Sequence, residues 1–140
     1  VEEDDSATVT STPNFISCDQ YIVYSPSFVV PAFYFNVWDQ QGVQLTLVQL
    51  LQSGMFRFDP SAKFDKTTFG LSEPGSAFPL LSQGDHPVLG IRCWYFHPCE
   101  SSAAVNELVG EVTSPDASEG DRLRCWMKMW FLVLGSVVNL

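Results

Sequence analysis

The sequence predicts a single domain of the α+β class, and three observations support this prediction. The chain has 140 residues, the length of one ordinary domain with one hydrophobic core. Residues 20–25 alternate with a period of two, and residues 32–38 are rich in aromatic and β-branched residues, and both patterns are typical of strands. Residues 123–134 instead place apolar side chains at helical spacing.

The composition and charge of the chain disfavour several classes of partner. Hydrophobic residues make up 46% and charged residues 16%, a balance that supports a buried core and argues against a disordered chain. Seven Lys and Arg against sixteen Asp and Glu give a net charge of −9. Nucleic acids and anionic membrane surfaces are recognised largely through basic residues, so neither is expected as a partner.

The given residues predict neither a spanning helix nor a signal peptide. The longest apolar stretch, residues 129–138, is shorter than the roughly 20 residues of a spanning helix. Residues 2–5 are acidic where a signal peptide is basic, and no apolar segment follows them. The four cysteines are too few for a disulfide-stapled secreted scaffold. We therefore expect a cytoplasmic protein without a transmembrane segment.

The chain divides into a polar beginning and a folded remainder. Residues 1–19 are predicted to form a flexible acidic tail or domain edge, and residues 20–140 the single domain. The two strand-like runs, 20–25 and 32–38, suggest an antiparallel meander, and a turn at 39–42 follows them. Next, Thr46 is predicted to cap a short helix that carries Leu47, Leu50 and Leu51.

Residues 55–85 are predicted to form an irregular, hairpin-like excursion. They combine several prolines and glycines with five phenylalanines, which is too aromatic for a plain linker. Two interpretations stay open for these rings: packing on the domain's own core, or exposure as a surface for a partner protein.

The last elements are a strand, a short helix and a long helix. Residues 91–97 form the strand, and Pro98 ends it because proline cannot donate to a ladder. Ser101 or Ser102 is predicted to start a short helix through Val109, and a loop over residues 110–121 follows. The final helix carries its apolar stripe on Leu123, Trp126, Met127, Trp130, Phe131 and Leu134.

Cys99 is the strongest candidate for chemistry in the sequence. It emerges at the end of a predicted strand, just before a predicted helix, where a helix N-terminus favours a thiolate. The neighbouring Glu100 works against a second negative charge. From the residues alone, Cys99 is either a nucleophile or a buried, inert cysteine.

Other site chemistries have weaker support. Cys93, His97 and Cys99 are close in sequence, but their spacing fits no zinc module. A Cys–His hydrolase that pairs Cys99 with His86 and Asp85 stays open, because catalytic neighbours need not be neighbours in sequence.

The segment WYFHPCESS, residues 94–102, resembles the active-site stretch of the autophagy conjugating enzymes, and most closely that of the autophagy-related protein 10 family. The match extends over roughly residues 20–140. Further stretches agree in order and character with the family's central strand pair, the turn and helix after it, the loop before the active-site strand and the closing helix; they are residues 24–35, 42–47, 85–90 and 126–138.

This resemblance implies a ubiquitin-conjugating-type fold with an antiparallel sheet of about four strands and helices packed against it. It implies that Cys99 carries a ubiquitin-like modifier, autophagy-related protein 12, as a thioester and transfers it to a lysine of autophagy-related protein 5. The E1-like activating enzyme, autophagy-related protein 7, would spend the ATP, and no cofactor is implied. Transient recruitment to sites of autophagosome formation is also expected. Thioester exchange needs little acid–base machinery, which agrees with a sequence of two histidines.

The resemblance leaves the residue that stabilises the oxyanion open. Ubiquitin-conjugating enzymes carry an Asn in a His-Pro-Asn motif, whereas Cys99 itself follows His97 and Pro98 here. Tyr34 or Asn36 on the neighbouring strand, or a backbone N–H beyond Cys99, is the candidate donor. His97 is expected to have a structural or supporting role, holding the strand end through a ring hydrogen bond.

Phe56 and Phe58 in the aromatic excursion are expected to help bind the acceptor protein. Three alternative functions stay open: a non-catalytic adaptor of the same fold, the Cys–His hydrolase, and a lipid-conjugating relative of the same family.

Overall fold

The computed structural model describes residues 15–57, 65–67, 70–72 and 80–140. Their elements follow the order β1 (Ser17–Ser25), β2 (Val30–Trp38), α1 (Leu47–Gln52), β3 (Asp65–Lys66), β4 (Gly70–Ser72), β5 (Leu81–Asp85), β6 (Arg92–Phe96), α2 (Pro98–Val112) and α3 (Glu119–Val137). The strands form one sheet in the spatial order β1-β2-β6-β5-β4-β3, and neighbouring strands pair antiparallel.

The predicted α+β class is confirmed, and the sheet is larger than predicted. Four strands of five to nine residues, β1, β2, β6 and β5, form its main part. The short β4 and β3 extend it from within the aromatic excursion, where Lys66 pairs with Leu71 as in a hairpin. β1 begins at Ser17, three residues inside the segment predicted as a tail or domain edge.

The hydrophobic core lies between one face of this sheet and the helices. Side chains alternate between the faces of a strand, so Phe33, Phe35 and Val37 of β2 point to the core. Trp94 and Phe96 of β6 join them, as do buried residues of all three helices: Leu47, Leu50, Val105, Trp130 and Leu134. The opposite face of the sheet carries the intervening residues of β2 and β6.

The helices confirm the predicted elements but not all of their boundaries. Thr46 caps α1 through a capping box with Gln49, as its position predicted. α2 begins at Pro98, three or four residues before the predicted start, and continues through Val112. Proline is well suited to a first helical position, because its fixed φ is helical and it lacks an N–H that would go unpaired there. The predicted loop therefore shrinks to residues 113–118.

Two residues of the predicted apolar stripe on α3 are exposed rather than buried. The helix meets the core through Trp130 and Leu134. Leu123 lies two turns before Trp130, outside the part of α3 that packs on the core. Phe131 follows Trp130 directly and is thus turned by about 100° around the helix axis. In the described part of the chain, no helix is long and apolar enough to span a membrane.

The expectation that Phe56 helps bind a partner is wrong, because its ring belongs to the core. Only 7% of Phe56 is exposed, and its ring packs edge-on against Phe35 and Phe96. An isolated bridge to Val138, at the end of α3, fixes the backbone of Phe56 in this place. Phe58, the second residue of that prediction, lies outside the described residues.

Candidate active site

The junction between β6 and α2 places Cys99 at the start of a helix. β6 ends at Phe96, His97 is the extended N-cap residue, and Pro98 and Cys99 are the first two helical residues. The N–H of His97 still bonds to the carbonyl of Leu80, which ties the junction to the neighbouring strand end at 3.1 Å. The backbone therefore changes from strand to helix within one residue, and Cys99 lies in the first turn of α2.

The Nδ1 atom of His97 lies within hydrogen-bond reach of the Cys99 sulfur. His97 is an N-cap residue whose side chain makes no capping hydrogen bond to the helix. Its ring is instead turned so that Nδ1 faces the sulfur, and both side chains are partly exposed. The predicted supporting residue and the predicted nucleophile are thus brought together, which is the geometry that proton transfer to or from a thiol requires.

Aromatic and apolar groups lie beside His97. The ring of Phe28, in the turn between β1 and β2, lies edge-on to the His97 ring with centroids 5.3 Å apart. No pattern in the sequence distinguishes Phe28 as a site residue. An apolar cavity of about 130 Å³ lies between the sheet and α3, and His97 and Ser101 form part of its wall together with Phe33 and Phe96.

The first turn of α2 offers backbone donors beside the sulfur. The first N–H groups of a helix have no acceptor within the helix, and they carry its positive partial charge. Here His97 bonds to Leu80 and Pro98 has no N–H. The N–H groups of Cys99 and Glu100 are therefore the ones that helix geometry leaves without an intrahelical acceptor. Donors in this position can stabilise an oxyanion that forms at a carbonyl bound to Cys99.

Tyr34 does not lie beside Cys99. Its ring stacks on Tyr95 at 5.1 Å and lies 5.5 Å from His86, on the face of the sheet away from the helices. His86 follows β5 at the end of the sheet where β6 begins, whereas Cys99 follows the other end of β6. The pKa of Tyr34 is raised, chiefly by burial and further by the neighbouring Tyr95.

Asn36 holds strands together instead of facing the cysteine. It is buried on the same face as Tyr34, and its Nδ2 donates to the carbonyl of Arg92 at 2.9 Å and to the Cys93 sulfur at 3.3 Å. Its Oδ1 accepts from the side chain of Gln44. Because Arg92 and Cys93 begin β6, this network lies near the end of the strand remote from Cys99. Of the candidate oxyanion donors, the structure brings only the backbone N–H groups to the sulfur.

The hydrolase arrangement that pairs Cys99 with His86 and Asp85 is wrong. His86 is buried, and its Nδ1 accepts from the N–H groups of Val88 and Leu89, each at 3.1 Å. The imidazole therefore closes its own turn, and its neutral form carries the proton on Nε2. The turn lies at the opposite end of β6 from Cys99.

The other cysteines differ from Cys99 in their surroundings, and all four are free thiols. Cys93 is fully buried, and burial raises its pKa while the hydrogen bond from Asn36 opposes that rise. Cys125 is half-buried on α3 and accepts a weak hydrogen bond from Thr113. Cys18 lies exposed on the edge strand β1. Among the described residues, no three His, Cys, Asp or Glu side chains are grouped as metal ligands.

An antiparallel sheet covered by helices on one face, with a half-buried cysteine in the helical turn after an inner strand, defines an α+β domain of the ubiquitin-conjugating type. The chain belongs to the family described as autophagocytosis-associated protein, active-site domain, which it matches over residues 1–140. The family predicted from residues 94–102 is therefore confirmed.

A curated relative agrees with this family. Over 124 residues the chain is 25% identical to the ubiquitin-like-conjugating enzyme ATG10 of Dictyostelium discoideum. The alignment covers 85% of this chain and 49% of that protein, so the chain spans about half the length of the relative. No solved structure matches the chain.

Proposed function

We propose that this chain is an E2-like conjugating domain of autophagy that carries a ubiquitin-like modifier as a thioester on Cys99. The observation that carries this proposal is the partly exposed Cys99 sulfur beside His97 Nδ1, at the positive end of α2. The similarity to a ubiquitin-like-conjugating enzyme supports it. The modifier is autophagy-related protein 12, the acceptor is autophagy-related protein 5, and autophagy-related protein 7 loads the thioester. The reaction takes place in the cytoplasm.

The first step exchanges one thioester for another. The Cys99 sulfur attacks the carbonyl carbon of the modifier bound to the activating enzyme, an S–C bond forms at Cys99, and the bond to the enzyme's cysteine breaks. The proton of the Cys99 thiol passes to His97 Nδ1 and ends on the departing thiolate or in water. The exchange is nearly balanced in energy, because similar thiols attack and leave.

The second step moves the modifier to an amine. The acceptor lysine, after losing its ammonium proton to water, attacks the thioester carbon, and the C–N bond forms. The N–H groups of Cys99 and Glu100 stabilise the oxyanion of the tetrahedral intermediate. When the C–S bond breaks, the electron pair stays on the Cys99 sulfur, and an Nδ1 proton of His97 neutralises it. The attacking amine gives its second proton to His97, which replaces the Nδ1 proton that the sulfur takes.

The test mixes the protein with the activating enzyme, the modifier and ATP, followed by non-reducing gels. Wild type is expected to form an adduct that a thiol reductant removes. Cys99→Ser is expected to form a reductant-resistant ester or no adduct, and Cys125→Ser, which changes another half-buried cysteine, to behave as wild type. A thioester that persists in Cys99→Ser would move the site to another cysteine and overturn the assignment.

Variations of this reaction separate the alternatives. A non-catalytic adaptor forms no adduct in any variant, although the activating enzyme itself becomes charged. A hydrolase would release free modifier from a substrate conjugate without ATP, a reaction for which the contact between His97 and Cys99 supplies the imidazole. A lipid-conjugating relative would discharge the thioester to a phospholipid amine instead of a protein lysine. Transfer to autophagy-related protein 5 is the outcome that we expect.

A further inference from the structure

We propose that Phe28 is a positioning residue that holds the imidazole of His97 against the Cys99 sulfur. This inference rests on the proposed function, because it assigns Phe28 a part in the thioester chemistry. The contact that defines this role is the one between the Phe28 and His97 rings. Phe28 acts through His97, by restricting the orientations that the ring can adopt.

The register of the sheet brings the two rings together. β2 pairs antiparallel with β6, with Tyr34 opposite Tyr95, so the beginning of β2 lies at the end of β6. The turn that joins β1 to β2 therefore lies next to His97. There the ring of Phe28 meets the imidazole edge-on, with centroids 5.3 Å apart and planes inclined by 75°. Edge-to-face contact is a preferred geometry for aromatic pairs.

The exposure of Phe28 indicates that its ring is not there to fill the core. Its exposed fraction is 44%, and it is absent from the hydrophobic cluster between the sheet and the helices. A large apolar ring left this open to water gains less from burial than a core phenylalanine does. The ring contact that the structure shows for Phe28 is the one to His97.

The backbone beside Phe28 supports the same interpretation. Val29 has φ 57°, and it is the positive-φ residue other than glycine in the described chain. A β-branched residue in the left-handed region is a strained exception, and such strain concentrates at functional sites. The N–H of Val29 bonds to the carbonyl of Ser25 at 2.8 Å, which fixes the turn in this conformation. The hydrogen-bonded turn thus fixes the backbone position of Phe28.

The Phe28 ring is one of the groups that restrict the His97 side chain, which does not cap the helix that it begins. His97 lines the apolar cavity together with Phe33 and Phe96, and the Phe28 ring contacts its imidazole. Without Phe28, the imidazole gains freedom to turn Nδ1 away from the sulfur. A catalytic group that is correctly oriented for a smaller fraction of the time lowers the rate of the chemical step in proportion.

The experiment measures single-turnover discharge of the preformed Cys99 thioester to free L-lysine. Phe28→Ala and Phe28→Leu are expected to lower the maximal discharge rate about tenfold with little change in the lysine concentration for half-maximal rate. Phe28→Tyr keeps the ring and is expected to stay within about twofold of wild type. Phe131→Ala is the matched control, because Phe131 is also 44% exposed but packs edge-on to Trp130 of α3. Phe28→Leu decides the outcome if Phe28→Ala folds poorly.

Ring-nitrogen NMR of the uncharged protein tests the contact without the reaction. The sequence contains two histidines, so the His97 and His86 signals can be assigned by one substitution. Phe28→Leu is expected to shift the His97 ring nitrogens and to leave those of His86 in place, and Phe131→Ala to shift neither. Normal charging with a wild-type discharge rate in Phe28→Leu, or an unmoved His97 signal, would overturn the inference. Failure of wild type to charge would instead count against the proposed function, and the NMR result would still decide on the contact.

Discussion

Asn36 donates a hydrogen bond to the Cys93 sulfur across the interface of β2 and β6, at 3.3 Å. The same Nδ2 donates to the carbonyl of Arg92, so one amide binds two consecutive residues of the neighbouring strand. Cys93 is thereby held fully buried on the face of the sheet without helices. Cys99, six residues later, lies half-exposed at a helix start. The two cysteines of one short segment therefore have different chemistry.

Cys93 is expected to resist alkylation under conditions in which Cys99 reacts. The thiolate is the reactive form, and burial raises the pKa of Cys93, so little thiolate is present and reagent cannot reach it. Iodoacetamide at pH 7.5 should modify Cys99 at least about tenfold faster than Cys93, and raising the pH to 9 should leave Cys93 protected in the folded protein. Peptide mass spectrometry over time measures both rates, and the same reaction in urea is the control. Equal rates in the folded protein would contradict this assignment.

Replacing Asn36 is expected to destabilise the fold rather than to remove an oxyanion donor. Asn36→Ala removes a buried side chain, and it leaves the Arg92 carbonyl, the Cys93 sulfur and the Gln44 side chain without this partner. The expected loss is about 2 kcal/mol in the free energy of unfolding, measured by urea denaturation. Asn139→Ala is the control, since Asn139 donates to the carbonyl of Gly54 from an exposed position where water can replace it. A stable Asn36→Ala protein that charges but cannot discharge would restore the catalytic interpretation.

The elements that local chemistry determines were predictable from the sequence. Thr46 with Gln49 three residues later is a complete capping box, and α1 begins there. The start of α2 was not predictable in this way. Pro98 at a first helical position and Ser101 or Ser102 as a cap are both good local signals for a helix start. The contact of α2 with the sheet decides between them, and that contact is not local.

The same distinction applies to the site. The run from His97 to Cys99 was readable because its residues are adjacent in sequence. The contact between Phe28 and His97 was not, because it depends on the register of β2 with β6. The role of Phe56 was wrongly predicted for the same reason. Its burial depends on a bridge to Val138, which is far from it in the sequence. Composition indicates that a ring is apolar but not which part of the fold covers it.

Gly84 of β5 leaves the space that the Tyr95 ring of the neighbouring strand β6 occupies. A Cβ at Gly84 would lie 2.9 Å from the Tyr95 ring, and that ring cannot move freely because it stacks on Tyr34. Gly84→Ala is expected to lower the free energy of unfolding by about 1–3 kcal/mol. Gly110→Ala on α2 is the matched control, since a Cβ there meets no atom within 4 Å and alanine favours helix by about 0.5–1 kcal/mol. Thermal unfolding of both variants measures the contrast. A Gly84→Ala protein as stable as wild type would show that the Tyr95 ring moves to accommodate the added Cβ.

Replacing Val29 by glycine is not expected to destabilise the protein. The φ of 57° at Val29 is unfavourable for a β-branched residue by about 1–2 kcal/mol, whereas glycine adopts this region readily. Val29 is 69% exposed, so little packing is lost. Val29→Gly should thus raise the free energy of unfolding by up to about 1 kcal/mol, after the larger backbone entropy of glycine in the unfolded chain is subtracted.

Val43→Gly is the control for this prediction, because Val43 is 59% exposed and lies outside the positive-φ region. It should lose stability, since it gains the entropy of glycine in the unfolded chain without relief of strain. Urea denaturation of the two variants and of wild type gives the differences in the free energy of unfolding. A loss of stability in Val29→Gly equal to that in Val43→Gly would contradict the assignment of strain to Val29. A more stable Val29→Gly protein that discharges its thioester more slowly is the expected combination. The strain would then be tied to the placement of Phe28 rather than to folding.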